Sequence, residues 1–298
     1  MEQIVLDSSN NYKLSLTVFE ATGAKAVLQI IHGMQEHKER YYPFAEFLSS
    51  KGYSVVVSDM RGHGKNAPIL GHIADKEGEK ILIEDQRNIY NYIKGRFPGL
   101  PVYLFGHSMG SIIARVLLQT NSADYKKTIL SGYVSPNPAS PVAVGLGNMV
   151  RGTKGSTKSS KLLASLALGP YSKAVKERKT DLDWLSSNEE NVKNYIADPL
   201  CGITFSNGSF SALFHLLNVM GKAKKYTSVN ANMPILLAGG EDDPCTGGEK
   251  GRASSKKVLE AAGFKNISVI TYKGMRHEIL NEIDNKKVYE DMLNFLNK

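Results

Sequence analysis

Cysteine is scarce in this sequence. Its 298 residues carry only Cys201 and Cys245. Two thiols so placed make neither a disulfide framework nor a metal-ligand spacing. Long apolar runs are missing as well: no stretch approaches the roughly 18 residues that a membrane span needs. The start, Met1-Glu2-Gln3-Ile4-Val5-Leu6-Asp7, has no basic region leading into an apolar one, so it does not read as a signal peptide. These absences predict a soluble, cytoplasmic protein. Acids are nearly missing from one segment. There Arg151, Lys154, Lys158, Lys161, Lys173, Lys176, Arg178 and Lys179 face a single acid, Glu177. Most of the chain's formal charge of +8 sits in this segment. No nucleic-acid motif accompanies it, which argues against a nucleic-acid partner. A solvated surface is the plain reading, and attraction to an anionic membrane interface or substrate is the sharper one.

What the sequence does have is a 42% hydrophobic content, enough for one large domain or a domain carrying an insertion. Strand patterns fall at residues 4–7, 12–20, 26–31, 53–58, 102–105, 128–131, 235–239 and 267–272. Helical patterns fall at 38–50, 84–97, 111–119, 249–262 and 286–296. The alternation fails between 132 and about 229. Pro136, Pro138 and Pro141 open that region, a Gly/Ser/Lys-rich stretch at 151–161 reads as a flexible lid, and helical pieces follow at 162–168, 188–196 and 209–220. The order predicts an α/β protein. Its eight-stranded, mostly parallel sheet carries helices on both faces. A mainly helical insertion, 132–229, divides the core into 1–131 and 230–298. In such sheets ligands sit beyond the carboxyl ends of the strands.

One of those ends reads Gly106-His107-Ser108-Met109-Gly110. Strand, Gly-x-Ser-x-Gly and helix together are the context of a nucleophile elbow, which holds the serine at a sharp turn. A serine hydroxyl needs a base. His277 follows the last strand on a loop late in the chain, which fits the order Ser, Asp, His. The base needs an acid to fix its tautomer. Asp242 and Asp243 both follow the 235–239 strand, and Pro244 stiffens the turn after Asp243. The negative charge that develops on an attacked carbonyl needs backbone N–H donors. Met109, after the serine, supplies one, and Met34, after the 26–31 strand, is the choice for the other.

Five segments, His32-Gly33-Met34-Gln35-Glu36-His37, Asp59-Met60-Arg61-Gly62-His63-Gly64, Gly106-His107-Ser108-Met109-Gly110, Gly239-Gly240-Glu241-Asp242-Asp243-Pro244 and Gly274-Met275-Arg276-His277-Glu278, together resemble the α/β-hydrolases. More narrowly they resemble the monoacylglycerol lipase and lysophospholipase group, also described as serine aminopeptidase S33-like. The resemblance implies the α/β-hydrolase fold. It implies Ser108 as nucleophile, Asp243 as acid, His277 as base, and Met34 and Met109 as oxyanion donors. It also implies that 132–229 caps the site. Family loops often read His-Gly-x-Gly/x-Glu-His, and Gln35 leaves the local geometry of this one open. Fold relatives with an aspartate nucleophile, the epoxide hydrolases and haloalkane dehalogenases, are disfavoured by Ser108.

The expected substrate pocket draws on Gly33 and His107 beside the serine, Cys245 after the acid, and Met149, Leu162, Leu166 and Phe210 of the insertion. The expected reaction is hydrolysis of a small-molecule acyl ester, foremost a monoacylglycerol or lysophospholipid, without metal or cofactor. A short-chain carboxylesterase and a non-catalytic binding protein of this fold are the alternatives.

Overall fold

A computed structural model describes residues 1–298. Eight strands form one sheet: β1 (Glu2–Asp7), β2 (Lys13–Phe19), β3 (Ala26–Ile31), β4 (Tyr53–Ser58), β5 (Val102–His107), β6 (Lys127–Ser131), β7 (Ile235–Gly240) and β8 (Ile267–Tyr272). Their spatial order is β1-β2-β4-β3-β5-β6-β7-β8. β2 runs antiparallel to both β1 and β4, and every other pair is parallel. The central strands are covered on both faces, so they read as continuous apolar runs rather than alternating ones. β3, Ala-Val-Leu-Gln-Ile-Ile, is wholly buried. Its one polar residue is satisfied: Gln29 donates to the Gln86 backbone and side-chain oxygens and accepts from the Tyr125 hydroxyl, each at 3.0 Å.

Helices α1 (Tyr42–Ser50) and α9 (Asn285–Asn297) pack on one face through Phe44, Leu48, Val288 and Met292. Helices α2 (Gly78–Arg96), α3 (Met109–Asn121) and α8 (Gly248–Ala262) pack on the other through Leu82, Ile89, Ile113, Leu117 and Leu259. After β6 the chain leaves the sheet and returns at β7. In between it forms α4 (Ser140–Lys154), α5 (Lys161–Ala174), α6 (Glu189–Ala197) and α7 (Asn207–Met220). The apolar residues of α7, Phe210, Leu213, Phe214, Leu216 and Met220, join the core on the α3 side.

Several details depart from the expectations. The helix read at 38–50 is a 3₁₀ turn over Lys38–Tyr41 followed by α1. α2 begins six residues earlier than 84. The largest departure is α4, which lies where a proline-rich opening and a flexible lid were expected. Pro141 sits in its first turn, where a missing N–H costs nothing. Gly147 lets α7 approach: a Cβ there would meet the Phe214 ring at 3.0 Å. The stretch after α4 is tied to α7. The N–H groups of Asn207 and Gly208 donate to the carbonyls of Lys158 (2.7 Å) and Ser156 (2.9 Å), and the Asn207 amide donates to Gly155. Ser160 then caps α5.

α3 approaches β3 very closely. A Cβ on Gly110 would lie 2.2 Å from the Ile31 carbonyl oxygen. Gly110→Ala is therefore expected to destabilise the fold by more than about 2 kcal/mol, read from the urea midpoint at unchanged slope. A shift within about 0.5 kcal/mol would show that α3 can move away freely.

Candidate active site

The loops at the carboxyl ends of neighbouring strands meet in one place. β3 and β5 are paired, so the loop after Ile31 lies beside Ser108. β7 and β8 are paired, so the loop carrying Asp243 lies beside the loop carrying His277. Ser108 has φ 52° and ψ −117°, an uncommon conformation for a residue with a side chain. Its N–H donates to the Ser131 carbonyl at 3.0 Å, and its own carbonyl accepts from the N–H (2.9 Å) and hydroxyl (2.6 Å) of Ser111. The turn is held from both sides.

His277 is buried. Its Nδ1 faces the Asp243 carboxylate at 3.0 Å, and Nε2 has no protein partner. The other Asp243 oxygen accepts from the Cys245 N–H at 2.8 Å. Asp242 is exposed and offers only its backbone N–H, to the Met275 carbonyl. The geometry thus joins Asp243, not Asp242, to His277. Burial alone would lower the His277 pKa. The adjoining Asp243 carboxylate outweighs it and holds the imidazole above its ordinary range. Trp184 and His107 flank the ring, with centroids 5.0 and 4.7 Å away.

Two further histidines shape the loop after β3. Nε2 of His32 accepts from the Met60 N–H at 2.9 Å, so its Nδ1–H donates to the Gly33 carbonyl at 2.7 Å. Nε2 of His63 accepts from the Gln35 N–H at 3.3 Å, so its Nδ1–H donates to the Arg61 carbonyl. Both bonding patterns need a neutral ring. Burial pushes His32 well down and His63 down to about 4. Gln35 sits in the left-handed region, φ 61°, and its amide donates to the Ile203 carbonyl at 2.7 Å. Its own carbonyl accepts from Gly202 N–H and the Tyr195 hydroxyl. The side chain that left the loop open in the sequence thus docks it on the segment between β6 and β7. Buried Glu36 accepts from the Gly33 N–H (2.5 Å) and the Tyr41 hydroxyl (2.7 Å). Arg40 makes a two-pronged contact with Glu278, at 3.0 and 2.6 Å, tying this loop to the one that carries His277. The N–H groups of Met34 and Met109 donate to no protein atom.

These loops enclose a cavity of about 60 Å³, lined mostly by hydrophobic residues. Ser108, His277, Met34, Met109, Gly33, His107 and Cys245 all line it. Four expected pocket residues do not. Phe210 is buried on α7 between Phe205 and Phe214, the latter on the same helix. Met149 and Leu162 are each 57% exposed, and Leu166 is 44% exposed and lines an adjoining groove instead. They occupy the outward sides of α4 and α5. The walls missed by sequence reasoning include Tyr171, Leu182, Trp184, Leu185 and Tyr195; Leu213 and Leu217 of α7 line it too. The sole tryptophan was the available signal among them.

The charge balance at His277 is directly measurable. In an NMR pH titration His277 is expected to lose its proton above about pH 6.5, the ordinary histidine value, and Asp243→Asn to lower that midpoint. His32 and His63 stay neutral while His277 titrates. An unchanged midpoint in the variant would contradict the assigned cause.

A family model described as serine aminopeptidase S33 matches residues 22–284. Among relatives, a monoacylglycerol lipase of Mycolicibacterium smegmatis is 26% identical over 281 residues, covering 92% of this chain and 89% of that protein. Human monoglyceride lipase is 27% identical over 275 residues, covering 87% of this chain and 77% of its own. A thermostable carboxyl esterase of Bacillus coagulans, solved with glycerol, superposes with a TM-score of 0.93 at 24% identity, over 99% of this chain and 97% of that one. The chain has the α/β-hydrolase fold and belongs to the serine aminopeptidase S33 family.

Proposed function

We propose that this ester hydrolase works through an acyl-enzyme on Ser108 and takes lipid monoesters of the monoacylglycerol type. The observation that carries the reading is the free Nε2 of buried His277 in the same apolar cavity as Ser108, with Asp243 on its other nitrogen. The carboxylate keeps the proton on Nδ1 and leaves Nε2 as the acceptor. Nε2 takes the Ser108 proton as Oγ attacks the ester carbonyl. The N–H groups of Met34 and Met109 stabilise the oxyanion. His277 then returns the proton to the leaving alcohol, and water repeats the cycle against the acyl group. The amidic substrates suggested by the family's description demand protonation of a poorer leaving group. The two acids that line the cavity are already engaged, Glu36 by the Gly33 N–H and the Tyr41 hydroxyl and Glu278 by Arg40 and Asn191, so neither stands free to anchor a peptide amino terminus.

Two features support a lipid over a small ester. The first is the groove of about 370 Å³ beside the cavity. The two share Val134, Ala167, Tyr171, Leu217 and Cys245 as walls. The cavity alone has room for only a few waters, so a long acyl chain must pass these shared residues. The second is the outer surface of the segment between β6 and β7, the proposed cap. Val142, Met149, Leu162 and Leu166 are exposed there, alongside exposed Lys154, Lys158, Lys161 and Lys173. Apolar side chains ringed by lysines fit an anionic lipid interface. No helix is long and apolar enough to cross a membrane, so this would be peripheral contact.

Three outcomes are expected. On a p-nitrophenyl ester series, Ser108→Ala loses roughly 10⁶ in kcat, as in a comparable triad, and retained hydrolysis would refute the acyl-enzyme. Leu217→Trp lowers kcat/KM for long chains by about tenfold or more relative to acetate, and an equal loss on all chains would refute passage beside Leu217. In flotation assays the protein binds anionic vesicles over neutral ones, less so in high salt, and Leu162→Asp with Leu166→Asp weakens binding. Indifference to lipid charge and salt would refute the interface.

A further inference from the structure

A second histidine–carboxylate–thiol cluster lies outside the cavity. His37 is three residues beyond Met34, on the same loop. Its Nε2 faces Asp198 Oδ2 at 2.7 Å, and its Nδ1 faces Glu39 Oε2 at 2.6 Å. The imidazole Nε2, the Asp198 carboxylate and the Cys201 thiol all lie within 4.8 Å of one another. Cys201 is a free thiol. We propose that His37, Asp198 and Cys201 form a binding site for a zinc-class divalent ion that joins the loop bearing Met34 to the segment between β6 and β7.

Four observations support the assignment. Imidazole, carboxylate and thiolate together are a donor set suited to zinc, with a fourth position left for water. Each donor is already aimed. Glu39 holds Nδ1, so Nε2 is the ligating nitrogen, an outer carboxylate in the arrangement that commonly orients a metal-bound histidine. Glu39 is itself fixed by Lys38 Nζ at 2.9 Å. The second Asp198 oxygen accepts the Leu200 N–H at 2.8 Å, and the Cys201 N–H donates to the Asp198 carbonyl at 3.0 Å. That turn sets carboxylate and thiol on one side. Finally, His37 is nearly enclosed at 8% exposure, whereas Asp198 is 31% exposed and gives an entry path.

The ion would replace the hydrogen bond between His37 and Asp198. Zinc bonds run about 2.0 Å to nitrogen and oxygen and about 2.3 Å to sulfur, and the three donor atoms already lie within 4.8 Å of one another. As the ion binds, the Cys201 thiol proton and the His37 Nε2 proton that bonds Asp198 both leave to solvent, while Nδ1 keeps its proton toward Glu39. Since the ligands come from two segments that meet only in the folded chain, ion binding favours that state. At a free ion concentration one hundred times the dissociation constant, the folded-to-unfolded ratio rises about a hundredfold.

The active site holds the competing trio, Asp243, Cys245 and His277, and the experiment must separate the two. Chelator-treated protein is titrated with cobalt(II) chloride, and the thiolate-to-cobalt absorption band is followed. The wild type and Cys245→Ser are expected to show the band saturating at one equivalent, and Cys201→Ser to lose it. Asp198→Asn weakens binding at least tenfold. Melting curves without metal confirm that each variant is folded, and zinc chloride raises Tm in wild type but not in Cys201→Ser. Should Cys201→Ser fail to fold, Asp198→Asn carries the test alone. A band that persists in Cys201→Ser, disappears in Cys245→Ser, or never forms in the wild type would overturn the proposal.

Discussion

The backbone contact between the first turn of α3 and the end of β3 sets the rest of the structure. A Cβ on Gly110 would meet the Ile31 and His32 carbonyl oxygens at 2.2 and 2.6 Å, and one on Gly106 would meet the Gly110 carbonyl oxygen at 2.4 Å. Only glycine allows strand, turn and helix to close so tightly. The closure forces Ser108 into its left-handed turn and puts the N-terminus of α3 beneath it, where the helix dipole favours negative charge. It also brings the loop after β3 close: a Cβ on Gly33 would lie 3.2 Å from the Ser108 Cβ. The strain is local, and the hydrogen bonds to Ser131 and Ser111 hold it.

Around that turn four histidines sit in different electrostatic surroundings. His32 and His63 accept from backbone N–H groups and stay neutral in burial, acting as struts for the loop of Met34. His107 is buried without a carboxylate partner, and burial pushes it well down. His277 alone has a buried carboxylate on one nitrogen and nothing on the other. The difference comes from neighbours rather than from the residue type. The ion pair of Arg40 with Glu278 then ties the His277 loop to the loop of Met34.

Much of the fold was readable in the sequence because parallel strands buried on both faces leave continuous apolar runs, and all eight appear at nearly their expected positions. Ser108 and His277 were readable because a strand end followed by Gly-x-Ser-x-Gly, and a late loop histidine, are marked by position. Asp243 and Asp242 are adjacent acids in one turn, and only the direction of each side chain separates them. α4 was hidden by Pro141 and by Gly145, Gly147 and Gly152, which lower helix propensity; Gly147 serves close packing against α7. The cavity walls were the least legible part. Trp184 and Leu185 lie on a short 3₁₀ turn with no helical period to follow. Met149 and Leu162 are apolar yet face outward, and composition alone gives no direction.

The central claim is that the strained turn presents Ser108 as a nucleophile to the partner-free nitrogen of His277. The most direct test is reaction with a fluorophosphonate, followed by intact-mass and peptide mapping. A single adduct on Ser108, formed rapidly in the wild type and orders of magnitude more slowly in His277→Ala, is the predicted result. An adduct on another residue, or none on a folded protein, would contradict it.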